Sequence, residues 1–230
     1  MKKILLLAYV LVMPLVMVAQ EKVITKNLPD FTKVELSGKL NVKFVHSSAN
    51  SFDMKLNGID SNKLSWSVKK GQLYVKLNGS SKDAYVDITI YYTRIEELVA
   101  MLSKVEFEKN VKFDMLDVKL VSGAQMNFDG TVGDLMLRVT GNSKANLSGK
   151  CDYFSVSTIH SQVRAGDFEV IAAWVSAATK AEVVVNADER LEINATSGST
   201  VFYKGKPMYM RIKNTLNPKD NIVPIDQNKR

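Results

Sequence analysis

A short sequence pattern recurs along the second half of the chain at a nearly constant spacing. The copy that begins at Leu116 has apolar residues at alternate positions, then Ser122-Gly123, an aromatic residue and a further glycine. A copy that begins at Leu191 repeats these features without a gap, and another begins at Leu135. A period of about 19 residues with alternating apolar positions is typical of one coil of a β-solenoid. The repeat therefore predicts an all-β fold whose stacked coils bury a common apolar interior.

The aligned copies also predict which positions bend and which face inward. Gly123 and Asn142 occupy the same column, and both residue types tolerate a left-handed backbone, so we expect a tight corner with positive φ there. Tyr203 shares a column with Phe128 and is expected to point inward. The fourth copy is the least regular. Its predicted interior positions are Trp174, Ser176 and Ala178.

Alternating apolar runs separated by turn signals such as Asn57-Gly58 and Lys70-Gly71 fill the N-terminal part. They predict a block of antiparallel or irregular strands over residues 20–97 that covers one end of the solenoid. The repeats occupy residues 98–207, and residues 208–230 form a last strand and a basic flexible tail. Spacing between Arg94 and Met101 also permits a helix, although the alternation there favours a strand.

The first residues predict export. A basic start, an apolar run from Ile4 to Val18 and a small residue at Ala19 are typical of a signal peptide, so residues 1–19 are expected to be cleaved. That run is shorter than a membrane span, and no later segment resembles one. Cys151 is the only cysteine, which excludes an internal disulfide and indicates stability by packing.

The formal charge of +7 does not indicate a nucleic-acid partner. Its excess is concentrated in residues 204–230, where seven Lys and Arg residues accompany two Asp residues. A dispersed basic tail on an exported chain is expected to keep that end solvated.

The corners at Ser122-Gly123 and Ser197-Gly198, the Thr140-Gly141-Asn142 corner and the closing segment Tyr203-Lys204-Gly205-Lys206-Pro207 resemble the head GIN domain family of autotransporter adhesins in Bacteroidetes-type bacteria. The resemblance covers Phe31 to Pro207. It implies a single-stranded right-handed β-helix exported to the envelope or cell surface, and it brings no catalytic residue. The chain departs from the family pattern at His160-Ser161 and Lys180-Ala181, which lack the usual glycine.

No constellation for catalysis, cofactor binding or metal binding stands out. His46 and His160 are far apart and match no metal motif, and the aspartates scatter over turns and outward positions without a shared column. We therefore predict no catalytic, cofactor or metal site. Cys151 is expected to be a buried, unreactive thiol.

A binding surface would need exposed aromatic or polar side chains. Tyr91, Tyr92 and Tyr209 are the aromatic candidates, and His160 is a polar candidate at a corner.

The leading functional hypothesis is a non-enzymatic exported protein with an adhesive or scaffolding role, located in the periplasm, at the outer membrane or on the cell surface. It would bind a glycan or an envelope protein through the solenoid surface. One alternative is a polysaccharide lyase or hydrolase built on a β-helix, which rests on fold analogy alone. Another is a periplasmic partner of a signalling or transport system.

Overall fold

The computed structural model describes residues 23–79, 85–213 and 221–225, and these are almost entirely strands. The predicted signal peptide at residues 1–19 and most of the predicted tail lie outside the described residues. The strands are β1 Val23–Asn27, β2 Lys33–Ser37, β3 Leu40–His46, β4 Ser51–Asn57, β5 Leu64–Lys69, β6 Gln72–Leu77, β7 Tyr85–Tyr92, β8 Glu97–Met101, β9 Lys104–Phe107, β10 Val111–Val121, β11 Gln125–Thr140, β12 Lys144–Ile159, β13 Gln162–Ala178, β14 Glu182–Ala195, β15 Thr200–Lys204, β16 Tyr209–Lys213 and β17 Ile222–Pro224. A single 3₁₀ turn spans Ser61–Lys63.

Parallel pairing of β10 to β14 stacks the repeats as predicted. Leu116 pairs with Leu135, which pairs in turn with Phe154, and all three side chains are buried. Equivalent apolar residues therefore form columns inside the stack, while their backbones hydrogen-bond between coils. The predicted all-β solenoid is confirmed, with about 6 turns.

The fourth repeat differs from its predicted register by one residue. Ala173, rather than Trp174, pairs with Phe154 and Leu191 and is buried. The corner before β13 is one residue shorter than the preceding corner, and a bulge between Arg164 and Asp167 adds that residue back, so the 19-residue spacing continues from Phe154 to Ala173. A one-residue shift moves every following side chain to the other side of the strand. Trp174 consequently points outward and is 44% exposed.

The corners adopt the left-handed backbone that the glycine and asparagine column predicts. Positive φ occurs at Gly123 and Asn142, and also at His160 and Lys180, where glycine is missing. A buried serine follows each of several corners and links adjacent coils by hydrogen bonds. These serines are Ser103, Ser143, Ser161 and Ser199. For example, the Ser161 hydroxyl accepts a hydrogen bond from the Ser143 N–H at 3.2 Å and donates to the Ile159 carbonyl at 3.0 Å.

The N-terminal strands extend the stack and then close it. The coil formed by β8 and β9 pairs in parallel with β10 and β11 on one side, and with β2 and β3 on the other. Strands β2 and β3 pair in parallel with β6 and β7. Antiparallel pairs β5–β6, β4–β7 and β1–β4 complete this end. The segment that could have been helical contains strand β8.

One continuous core runs through the N-terminal strands and the repeats. Phe44 stacks on Phe107 with ring centroids 4.9 Å apart, and Phe107 contacts Phe128 at 5.7 Å. Phe168 continues this chain of rings, 6.1 Å from Phe128 and 5.8 Å from Phe154. Because the rings interlock across coil boundaries, the described residues share one interior.

The last strands finish the opposite end. β15 and β16 both pair with β14, and Met210 continues the column of Leu191. Tyr203 lies between Val185 and Pro224 and is half-buried against the core.

Candidate functional site: an exposed aromatic face

One flank of the solenoid presents large apolar side chains to solvent. We call it the aromatic face, formed by outward residues of β10, β11, β12, β13, β14 and β16. Its exposed large side chains are Met115, Met136, Tyr153, Trp174 and Tyr209. Tyr153 is 64% exposed and Tyr209 is 47% exposed. A contiguous exposed group of this size is unusual for a soluble surface and marks a candidate binding site.

Small neighbours leave the two central rings uncovered. Tyr153 lies opposite Ala172 on β13, and Trp174 lies opposite Ser155 on β12. Because alanine and serine are short, they leave space beside each ring. A cavity of about 450 Å³ occupies this space. Its lining includes Asp134, Met136, Tyr153, Trp174, Arg190 and Glu192.

Charged groups form one rim of the cavity and are held in place by one another. Arg190 Nε donates to Glu192 Oε1 at 3.0 Å, and Arg190 Nη2 contacts the same oxygen. The guanidinium lies over the Tyr209 ring, 4.9 Å from its centroid, in a cation–π contact. The hydrogen bond from Arg190 lowers the pKa of Glu192, and the same contact raises the pKa of Arg190. Both groups are therefore charged at neutral pH.

The strand ladder sets the spacing of the rings. Tyr153 and Trp174 lie on the adjacent strands β12 and β13, while Tyr209 on β16 follows two strands after β13. Neighbouring strands are about 4.8 Å apart, so the rings are spaced at about one and two strand intervals along the stack. The face thus offers three rings in order along the solenoid axis, with β14 between the second and the third.

A second concave surface, the polar groove, lies on another flank. Two cavities of about 420 and 400 Å³ share Glu106 and Asn127 and so adjoin. Asn146 Nδ2 donates to Asn127 Oδ1 at 2.9 Å, which links adjacent coils. Lysine and aspartate side chains line the groove in similar number, and none of the large exposed aromatic side chains does. We interpret it as a solvated polar flank.

The predicted binding residues do not come together. Tyr92 is buried, packed against Phe44 and stacked with Phe113, so its predicted exposure is wrong. Tyr91 is half-buried on β7, and His160 is exposed at its corner beside a small cavity of about 210 Å³. Tyr209 alone of the four belongs to the aromatic face.

Sequence reasoning missed Tyr153 and Trp174. Tyr153 immediately precedes the inward Phe154, so alternation alone could have placed it outside. The 19-residue spacing from Leu135 to Phe154 continues to Ala173, so the repeat itself could have placed Trp174 outside.

The described residues offer no arrangement for metal binding: among residues 23–79, 85–213 and 221–225, no three His, Cys, Asp or Glu side chains lie where they could hold an ion.

Cys151 should be inert in the folded protein. Its side chain is buried, its Sγ donates to the Tyr153 carbonyl at 3.1 Å, and burial raises the thiol pKa to about 12. Since the thiolate is the reactive form, we expect negligible labelling by a thiol reagent at about pH 8 and rapid labelling once guanidinium unfolds the chain. The absorbance change after addition of an aromatic disulfide reagent measures the rate of labelling in the folded and in the unfolded protein. Rapid labelling of the folded protein would contradict the burial.

Stacked parallel coils with a single shared core define this chain as a β-solenoid protein. Within the part of the chain that the structure describes, no helix is both long and apolar enough to span a lipid bilayer. Residues 30–207 match the family described as "Putative auto-transporter adhesin, head GIN domain". The chain belongs to this family, which confirms the resemblance found in the sequence and supports an exported, adhesin-like role at the cell surface.

Solved structures share the fold at low sequence identity. A putative adhesin from Parabacteroides merdae superposes with a TM-score of 0.69 at 13% identity, over 90% of this chain and 97% of that one. A putative adhesin from Bacteroides fragilis has a TM-score of 0.67 at 18% identity, over 88% and 95%. A protein from Parabacteroides distasonis, described as a putative lipid binding protein, has a TM-score of 0.64 at 14% identity, over 90% and 98%. No curated protein matches the sequence.

Proposed function

We propose that this chain is a non-enzymatic, exported adhesin that binds a glycan through its aromatic face. The observation that carries the proposal is the pair of exposed rings, Tyr153 and Trp174, which line one cavity together with charged Asp134, Arg190 and Glu192. Flat rings beside hydrogen-bonding groups are what a sugar requires, because a pyranose has both apolar faces and a polar edge.

The chemistry of the two partners is complementary. The electron-rich face of an aromatic ring attracts the weakly positive C–H groups on one side of a pyranose. The hydroxyl groups at the sugar's edge can then donate to Asp134 and accept from Arg190, which fixes the orientation of the bound sugar. Each contact is weak, so a chain of sugars would gain affinity by occupying several positions.

The geometry of the stack favours a linear glycan over a globular partner. Adjacent strands are about 4.8 Å apart, which is close to the length of one hexose unit. A glycan that lies along the solenoid axis can therefore place successive units on Tyr153 and Trp174, cross β14 with the next unit and reach Tyr209 with the one after it.

A glycan array tests the proposal. We expect the chain from residue 20 onward to bind, and Trp174→Ala or Tyr153→Ala to weaken binding at least tenfold, about 1.4 kcal/mol, because each removes a stacking surface. Tyr85→Ala is the matched control, since Tyr85 is exposed on β7, outside the aromatic face. Circular dichroism should show that all the variants remain folded.

Three results would contradict the proposal. Absence of binding to any glycan would reject it and favour a protein partner, and unchanged binding by Trp174→Ala would reject the aromatic face. Release of new sugar ends from a bound polysaccharide would show that the protein is an enzyme. Export is tested by N-terminal sequencing of the secreted protein, which should start at Gln20.

A further inference from the structure

We infer that the bound glycan is acidic, with a carboxylate or sulfate group placed at the β14–β16 end of the aromatic face; this rests on the proposed function. The inference comes from the distribution of charge along the face. At the β8–β11 end two ion pairs hold most of the charges: Lys33 Nζ lies 2.7 Å from Glu97, and Arg138 lies 2.9 Å from Asp117. That end is close to neutral, because Lys119 on β10 offsets the charge of Asp134 on β11.

The β14–β16 end has excess positive charge. Residues 190–194 of β14 and 209–213 of β16, which pair with each other, carry Arg190, Arg211 and Lys213 against the single carboxylate of Glu192. The strand register brings them together, because Arg190 lies opposite Tyr209 and Glu192 lies opposite Arg211. The carboxylates of Asp188 and Glu189 precede Arg190 in β14, at positions that do not pair with β13, and neither is among the charges that shift the pKa of Arg190 or Glu192.

Glu192 orients these cations without fully neutralising them. Its side chain is only 15% exposed, its Oε1 accepts from Nε and Nη2 of Arg190, and its Oε2 lies 3.6 Å from Lys213 Nζ. The Nη1 group of Arg190 makes no hydrogen bond to another described residue, and Arg211 makes no ion pair within the described ranges. The Nη1 group of Arg190 and the exposed guanidinium of Arg211 are thus available to a ligand.

This arrangement selects an anionic group and gives the ligand a direction. A guanidinium binds carboxylate or sulfate oxygens through charge-assisted hydrogen bonds, which are stronger than bonds to a neutral hydroxyl. Asp134 lies at the other end of the cavity, where it repels an anion and accepts from sugar hydroxyls. A sugar on Tyr153 and Trp174 would therefore be followed by an acidic unit toward Tyr209.

The test uses acidic glycans, each paired with a neutral counterpart that has the same backbone. Suitable probes are oligogalacturonate, alginate and hyaluronan with their carboxyl-reduced forms, and chondroitin sulfate with its desulfated, carboxyl-reduced form. Titration calorimetry should show at least one acidic member bound about tenfold or more tighter than its neutral form. The preference should weaken as salt is raised, because these cations are exposed to solvent. The two sets of probes distinguish carboxylate from sulfate.

Variants connect the preference to the residues. Arg190→Gln and Arg211→Gln should each reduce the ratio of acidic to neutral binding, whereas Lys69→Gln, an equal change of charge on the remote β5 strand, should leave it unchanged. Equal binding of acidic and neutral forms would overturn this inference and leave the proposed function intact. Retained preference in both arginine variants would also overturn it. Absence of binding to every probe, neutral or acidic, would overturn both.

Discussion

Replacing Gly149 with alanine should destabilise the solenoid by about 3 kcal/mol or more, enough to prevent folding of a protein of ordinary stability. Gly149 has a φ of +111°, a conformation that side chains other than glycine rarely adopt. An added Cβ would also lie 2.9 Å from the carbonyl carbon of Gly130 in the adjacent coil and still closer to its oxygen. The adjacent coil cannot retreat without losing its own strand pairing, so strain and lost hydrogen bonds add together.

Gly123→Ala is the matched control for this prediction. Gly123 also has positive φ, at +83°, but an added Cβ would meet nothing within 4 Å. The Gly123→Ala substitution should therefore lower the unfolding free energy only by the cost of the left-handed backbone, about 1–2 kcal/mol. Urea unfolding followed by circular dichroism compares the two variants. Equal losses of unfolding free energy in the two variants would mean that the close approach of the coils at Gly149 adds nothing to the cost of the substitution.

Replacing Phe168 with alanine should cost about 3–5 kcal/mol of unfolding free energy. The side chain is fully buried, and its ring lies between Phe128 and Phe154. Truncation would leave a cavity in the middle of the ring chain, where strand pairing on both sides limits collapse. Because the N-terminal strands and the repeats share this core, we expect one cooperative transition that shifts as a whole.

The comparison variant is Trp174→Ala, which removes a larger ring from the exposed aromatic face. It should lower the unfolding free energy by only about 1 kcal/mol, well below the loss in Phe168→Ala, because Trp174 lies on the surface with 44% of its area exposed. Thermal unfolding, followed by circular dichroism and by calorimetry, measures both variants. Two separate transitions in Phe168→Ala, with only one displaced, would show that the shared core does not couple the two parts.

The interior and corners could be predicted from the sequence because each reflects a local physical demand. Alternation placed Leu116 and Leu135 inside, and the column of Gly123 and Asn142 located the left-handed corners. The same alternation, followed from Ile88 through Ile90, would have placed Tyr92 inside. Its predicted exposure was wrong because the residue type was given more weight than its position.

The aromatic face was only partly within reach of the sequence. The 19-residue spacing from Leu135 to Phe154 leads next to Ala173, which would have placed Trp174 outside, but the irregular fourth copy was aligned one residue late. The cavity depends on two short side chains that lie beside the rings. Ala172 lies opposite Tyr153 and Ser155 lies opposite Trp174, and each pair is distant in sequence and adjacent only across the strands. No local pattern contains that information.

The spatial order of the first coils has a consequence for how the protein acquires its structure. The β2–β3 coil lies between β6–β7 and β8–β9, so Val34 can pair with Leu73 as soon as β6 has been made but can pair with Leu98 only later. One edge of this coil therefore remains open until β8 and β9 have been made. Such distant contacts slow folding and leave strand edges open to aggregation. A chaperone that covers this open strand edge would lower the risk of aggregation.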